Sequence, residues 1–267
     1  MEATNPDLML GLLLSLFAGL STCIGAGVAL FLKRTDTRVL TYALGASAGV
    51  MVYISFMELL PEAGRFLQEG SGKWVSIAAF FGGMVLAGAI DRLVPEDENP
   101  HEIHTAGDLD EARTTGEFSA QAGVRRSAFL FAAAIAIHNF PEGIATMASA
   151  FDNPGTAFSV AFAVAIHNLP EGIAVALPLM FATGSRKRAF WGAALSGLAE
   201  PVGALVAMLI LLPFLTPTLL AVLFCIVAGF MVYISFDELL PMAERWGHHH
   251  LSIGGVISGM LLMALVL

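Results

Sequence analysis

Eight apolar stretches, each long enough to cross a bilayer, constrain this chain more than any other feature of its sequence. Their approximate limits are 8 to 32, 39 to 61, 74 to 94, 127 to 151, 157 to 183, 188 to 213, 217 to 241 and 250 to 267. A hydrocarbon core of about 30 Å needs roughly 20 helical residues, and lipid offers no partner to an unpaired backbone group, so such stretches are expected as transmembrane helices. Composition agrees: 57% of residues are hydrophobic and 13% charged, against about 25% charged in soluble domains. The expected fold class is an all-α integral membrane protein of eight transmembrane helices. The stretch "MLGLLLSLFAGLSTCIGAGVALFL" from Met9 has no basic segment before it and reads as a first span, not a signal peptide.

The formal net charge of -9 excludes a nucleic-acid partner, because thirteen basic residues form no phosphate-binding cluster. Basic residues instead report orientation, since they collect on the cytoplasmic side of membrane proteins. With eight spans, one set of connections and span ends holds Lys33, Arg34, Arg38, Arg92, Arg113, Arg125, Arg126, Arg186, Lys187, Arg188 and Arg245, and the other only Arg65 and Lys73. That split puts both termini outside the cytoplasm. The connection from Pro95 to Arg126 is charged, lacks an apolar period and is expected as a cytoplasmic loop. Cys23 and Cys225 both fall in apolar runs and are expected as packing residues.

An internal repeat organises the spans. "MVYISFMELLP" from Met51 recurs as "MVYISFDELLP" from Met231, in the second and seventh stretches. Five crossings separate the copies, so they run in opposite directions, the sequence sign of an inverted-topology repeat. A 3+2+3 arrangement is expected, with repeats at about 8–94 and 188–267 around central helices at 127–183, all in one transmembrane domain.

The central pair carries the polar residues. "HNFPEG" and "HNLPEG" place His138, Asn139 and Glu142 in one stretch and His167, Asn168 and Glu171 in the next. Spacings of three and four bring each set to one helix face. Two imidazoles, two carboxylates and two amide oxygens form a mixed nitrogen and oxygen set suited to zinc, iron or manganese, and a carboxylate shared on each helix allows two adjacent ions. Pro141 and Pro170 would free the carbonyls of Ile137 and Ile166 and kink both helices beside Gly143 and Gly172. Glu200, in "GLAEPVG", sits mid-span, where an unpaired carboxylate costs about 2.5 kcal/mol or more, so a bound cation is its natural partner.

Glu58, Asp237 and Glu238 lie toward the ends of the repeated spans and are expected near the outer side as a cation-concentrating entrance. "ELLP" also reads as a helix-end signature. His101, His104 and His248 to His250 lie in connections, where histidine is common. Met51 and Met231 are expected to pack, and the glycine patterns at Gly45 and Gly82 to bring helices close.

"HNFPEGIA", "HNLPEGIA", "GLAEPVG" and "ISFDELLP" in successive helices resemble the ZIP family of divalent metal transporters, in particular its bacterial ZupT-type branch. The resemblance runs over essentially the whole chain. It implies carriage of Zn2+, with Fe2+, Mn2+, Co2+ and Cd2+ as further ions, from outside into the cytoplasm across a bacterial inner membrane, without a prosthetic group. It also implies one metal site of His138, Glu142, His167 and Glu171, adjoined by a second of Asn139, Glu142, Asn168, Glu171 and Glu200, the two glutamates bridging. The same ligands would serve a metal-selective channel. They would also serve an intramembrane zinc hydrolase, although "HNxPEG" lacks the glutamate directly after histidine that marks zinc proteases. Small-residue faces permit a homodimer without demanding one.

Overall fold

The computed structural model describes residues 5–31, 37–67, 71–92, 118–211, 214, 216–245 and 247–266. These residues form eight long helices and no strand. We number them α1 (Asn5–Ala29), α2 (Thr37–Ile54, continuing to Phe66), α3 (Ser71–Asp91), α4 (Phe118–Asp152), α5 (Pro154–Thr183), α6 (Arg186–Gly197, continuing to Leu211), α7 (Pro217–Ile234, continuing to Glu244) and α8 (His249–Val266). Seven of them, all but α4, contain an apolar window sufficient to cross a bilayer, and α4 occupies the place of the fourth stretch.

Local chemistry sets the turns. Asn153 is the one residue between α4 and α5, and its Oδ1 accepts from Gly155 N–H at 2.7 Å while Pro154 supplies the fixed φ of a first helical residue. Gly184 ends α5 at φ 63, where a side chain would be strained. Ser185 then caps α6 and Thr216 caps α7 by accepting from Arg188 and Leu219 N–H.

Three expectations change. The helix of the fourth stretch begins at Phe118, so residues 118–126 belong to α4 and not to a loop. Their composition, "FSAQAGVRR", has good helix formers without an apolar face, which hydropathy alone passes over. Residues 93–117, with His101 and His104, lie outside the described residues. Next, "ELLP" does not end a helix: α2 runs past Pro61 to Phe66 and α7 past Pro241 to Glu244. Each accommodates its proline by a π-helical turn, Ser55–Leu59 and Ser235–Leu239, in which Leu60 N–H reaches Ser55 O and Leu240 N–H reaches Ser235 O. The widened turn offsets the clash of a proline ring with the carbonyl four residues back. Last, His249 and His250 form the first turn of α8.

Helices α1, α4, α5 and α6 pack on one another, α2 packs along α8, α3 along α7, and α2 also meets α5. The approaches are close because glycines line them. A Cβ on Gly49 would meet Val256 O at 2.2 Å, and one on Gly229 would meet Phe80 O at 1.9 Å. Met51 and Met231 are buried, as is Cys225. Trp74, Val85, Leu195 and Leu209 face outward as lipid-facing surface. A groove of about 490 Å³ between α4 and α6, lined by apolar residues such as Ile137, Phe140 and Val202, suits hydrocarbon, not an ion.

Candidate metal site

The polar residues of α4, α5 and α6 meet in the interior. Asn139, Glu142, His167, Asn168, Glu171 and Glu200 are all at most 1% exposed. Both helices continue through Pro141 and Pro170. Gly143 and Gly172 act by close approach: a Cβ on Gly143 would sit 1.9 Å from Glu200 O, and one on Gly172 would sit 2.1 Å from Thr22 O. The glycine after each motif glutamate therefore lets α6 or α1 press its backbone against the polar cluster.

The side chains meet in pairs. His167 Nε2 lies 3.0 Å from Glu142 Oε1, so an imidazole of α5 and a carboxylate of α4 share one proton across the helix interface. Asn168 Nδ2 donates both to Glu200 Oε1 and, at 3.1 Å, to the carbonyl of Ala18. Asn139 Nδ2 donates to the carbonyl of Ser196 at 3.3 Å. Each amide is thus anchored by its nitrogen end to a neighbouring backbone. The Oδ1 atoms of Asn139 and Asn168 are buried without a hydrogen-bond partner among the described residues, which leaves them available as neutral oxygen ligands.

A zinc ion bound tetrahedrally at about 2.0–2.1 Å from nitrogen and oxygen holds two ligand atoms about 3.3 Å apart. The 3.0 Å separation of His167 Nε2 and Glu142 Oε1 is a few tenths of an ångström from that. A cation can replace the shared proton with little movement. Among the described residues, no three His, Cys, Asp or Glu side chains gather around one point. Glu171 is buried on α5 beside Gly172. His138 lies in α4, and its side chain lies outside the described residues.

The acidic residues expected at an entrance separate into two groups. The segment Leu60–Phe66 packs against the first part of α7, and Leu240–Glu244 packs against the first part of α2, so α2 and α7 are antiparallel. Glu58 and the pair Asp237 and Glu238 therefore lie at opposite ends of the pair, and one outer entrance cannot contain all three. The cause is the inversion itself, which carries equivalent positions to opposite faces. Glu58 lies one turn before Glu62, which pairs with Arg65 at 2.8 Å. Asp237 is hydrogen-bonded to Tyr233, which also has Asp91 and Glu238 nearby. At the start of α8, His249 Nδ1 lies 2.8 Å from Glu244 Oε1.

Sequence reasoning missed the contribution of α1. "GLSTCIG" from Gly19 has the glycine and leucine spacing of "GLAEPVG" from Gly197, and Thr22, at the position of Glu200, is buried.

Residues 87–267 match the family model described as ZIP Zinc transporter. The chain is 59% identical to a zinc transporter ZupT of Akkermansia muciniphila, with all of both chains covered. It is 54% identical to a ZupT of Chlorobium luteolum, over 96% of each chain. It is 51% identical to one of Nitratidesulfovibrio vulgaris, over 98% of this chain and 97% of that one.

Proposed function

The chain belongs to the ZIP family of zinc transporters, and from that premise we propose that it carries divalent metal ions, zinc foremost, from outside into the cytoplasm through a binuclear site. The observation that carries this reading is the buried meeting of His167 with Glu142 at 3.0 Å, beside Asn168 paired with Glu200. Glu142, His167, His138 and Glu171 hold one ion. Asn139, Asn168 and Glu200, with both α4 and α5 glutamates bridging, hold the other. Iron, manganese, cobalt and cadmium ions fit the same nitrogen and oxygen donors.

The inverted 3+2+3 arrangement is supported by matched contacts. Asn139 of α4 is held by Ser196 O of α6, and Asn168 of α5 by Ala18 O of α1. Gly203 of α6 approaches Phe140 O, and Gly25 of α1 approaches Leu169 O. Exchanging α1 with α6 and α4 with α5 converts each contact into the other. In a carrier of this kind, α1, α4, α5 and α6 move as a bundle against α2, α3, α7 and α8, exposing the site to each side in turn. The basic residues favour both termini outside and a bacterial inner membrane, with Glu58 and Glu62 at the outer end of α2 and Asp237 and Glu238 at the inner end of α7.

Uptake of radioactive zinc into sealed vesicles containing the purified protein tests this reading, with iron, manganese, cobalt and cadmium as competitors. Saturable uptake, lost in His138→Ala/Glu142→Ala, is the expected result, and the competition ranks the metals. Unsaturable flux through an intact site would favour a channel. Stoichiometric zinc binding without uptake would overturn transport. The family and its relatives are transporters, so the zinc hydrolase reading has no support.

A further inference from the structure

We infer that Thr22 is the counterpart of Glu200 across the metal site, and that its hydroxyl lines the path at the Asn139 end, where a neutral oxygen in place of a carboxylate limits how tightly divalent ions are retained. The inference rests on the site proposed above.

Three independent contacts give the alignment of "GLSTCIG" with "GLAEPVG". Gly19 and Gly197 each lie against the other's carbonyl oxygen, at 2.4 Å from the added Cβ in both directions. Gly172 meets Thr22 O as Gly143 meets Glu200 O. The amides of Asn168 and Asn139 are held by Ala18 O and Ser196 O, the residues directly before Gly19 and Gly197. Glu200 accepts from Asn168, so the same exchange of helices carries the Thr22 side chain toward Asn139. Its position agrees: Thr22 Oγ1 lies 3.0 Å from where a Cβ on Gly197 would stand, next to the residue that holds Asn139.

The hydroxyl is one of six that are buried without a hydrogen-bond partner among the described residues, the others being those of Ser15, Thr41, Thr146, Ser196 and Ser252. Thr22 is 0% exposed, and Oγ1 has no hydrogen-bond partner among the described residues. Helical hydroxyls in apolar surroundings return to a carbonyl of the preceding turn, as Ser21 does to Ala18 O at 2.6 Å. Thr22 does not, and a buried hydroxyl left unpaired is costly unless it has a ligand. Charge explains why it is not acidic. A carboxylate must be ionised to ligate a metal, so with metal bound Glu142, Glu171 and Glu200 would supply three negative charges. One divalent ion leaves the cluster negative and two leave it positive. A fourth carboxylate would neutralise two ions and hold both, whereas a carrier must release them.

The test is equilibrium dialysis of radioactive zinc with the purified full chain in detergent, beside vesicle uptake. Thr22→Val keeps the shape and removes the oxygen, and raises the zinc Kd by about tenfold, whereas Thr22→Ser binds as the parent does. Thr22→Glu retains more zinc at a given free concentration and lowers the maximal uptake rate. Glu200→Thr loses zinc binding, and Thr22→Glu/Glu200→Thr regains it, a rescue that a packing role for Thr22 would not give. Should Thr22→Val fail to fold, the double variant decides. If Glu142→Ala and Glu200→Ala bind zinc normally, the site itself is misassigned and Thr22 falls with it. If those two lose zinc while the Thr22 variants match the parent and the double variant regains nothing, the role of Thr22 alone is overturned.

Discussion

Replacing Gly143 by alanine adds one methyl where α4 and α6 touch backbone to backbone. Its Cβ would lie 1.9 Å from the oxygen, 2.7 Å from the carbon and 2.9 Å from the Cα of Glu200. Ordinary contact begins at 3.4 Å, and every obstructing atom is backbone, so the helices must part by about 1.5 Å. Such overpacking costs about 1–3 kcal/mol, offset in part by the roughly 1 kcal/mol that alanine gains over glycine in a helix. The variant should therefore fold. Metal–ligand distances tolerate only about 0.2 Å, however, and Glu142 and Glu200 would separate by several times that. Zinc uptake into vesicles should fall on the order of a hundredfold, with the elution profile of the purified protein unchanged. Gly172→Ala, aimed at Thr22 O, should behave alike. Gly27→Ala and Gly254→Ala meet nothing within 4 Å and should transport as the parent does. Uptake by Gly143→Ala equal to that of Gly27→Ala would refute the close-approach argument.

Glu142→Ala should abolish uptake of every metal, since it strips a ligand shared by both sites; normal zinc transport by the folded variant would remove Glu142 from the site. Acidification should weaken zinc binding, because the proton between His167 and Glu142 must leave for the metal to enter; the zinc Kd measured from pH 7 to pH 5.5 should rise, and a flat profile would mean that the ion does not displace that proton. Ser55→Ala and Ser235→Ala each remove a 2.8 Å bond to the carbonyl four residues back inside a π turn. Each should lower stability by about 1 kcal/mol without changing the zinc KM, and an altered KM would tie the π turns to the site.

Span positions were legible because each helix is long, apolar and bounded by charges or turn residues, and structure and hydropathy agree to a few residues except at Phe118. The ligand residues of α4 and α5 were legible because a duplicated polar motif inside apolar sequence has few other uses. The share of α1 was not, because threonine in a span is unremarkable and "GLSTCIG" keeps only glycines and one leucine of its counterpart. The fate of the carboxylates in the strong repeat was misjudged for a different reason. Identical sequence suggested a common location, while inversion carries Glu58 and Glu238 to opposite ends. The π turns were also hidden, since proline after "ELL" ends most helices and only neighbouring packing lets these two continue.

Each π turn closes a bond between residues five apart, one more than an α-helical turn uses. An α-helix advances about 100° per residue, so the extra residue rotates the phase of all that follows. Leu60–Phe66 and Leu240–Glu244 present sides to their neighbours that a wheel drawn from the start of α2 or α7 would assign to the wrong direction. Deleting a single residue, Met57 or Asp237, would therefore restore an ordinary helix while leaving its tail facing nearly the same way. An alignment of distant relatives that places a one-residue gap at this point describes an ordinary turn in place of the widened one, with the helix end facing the same neighbours.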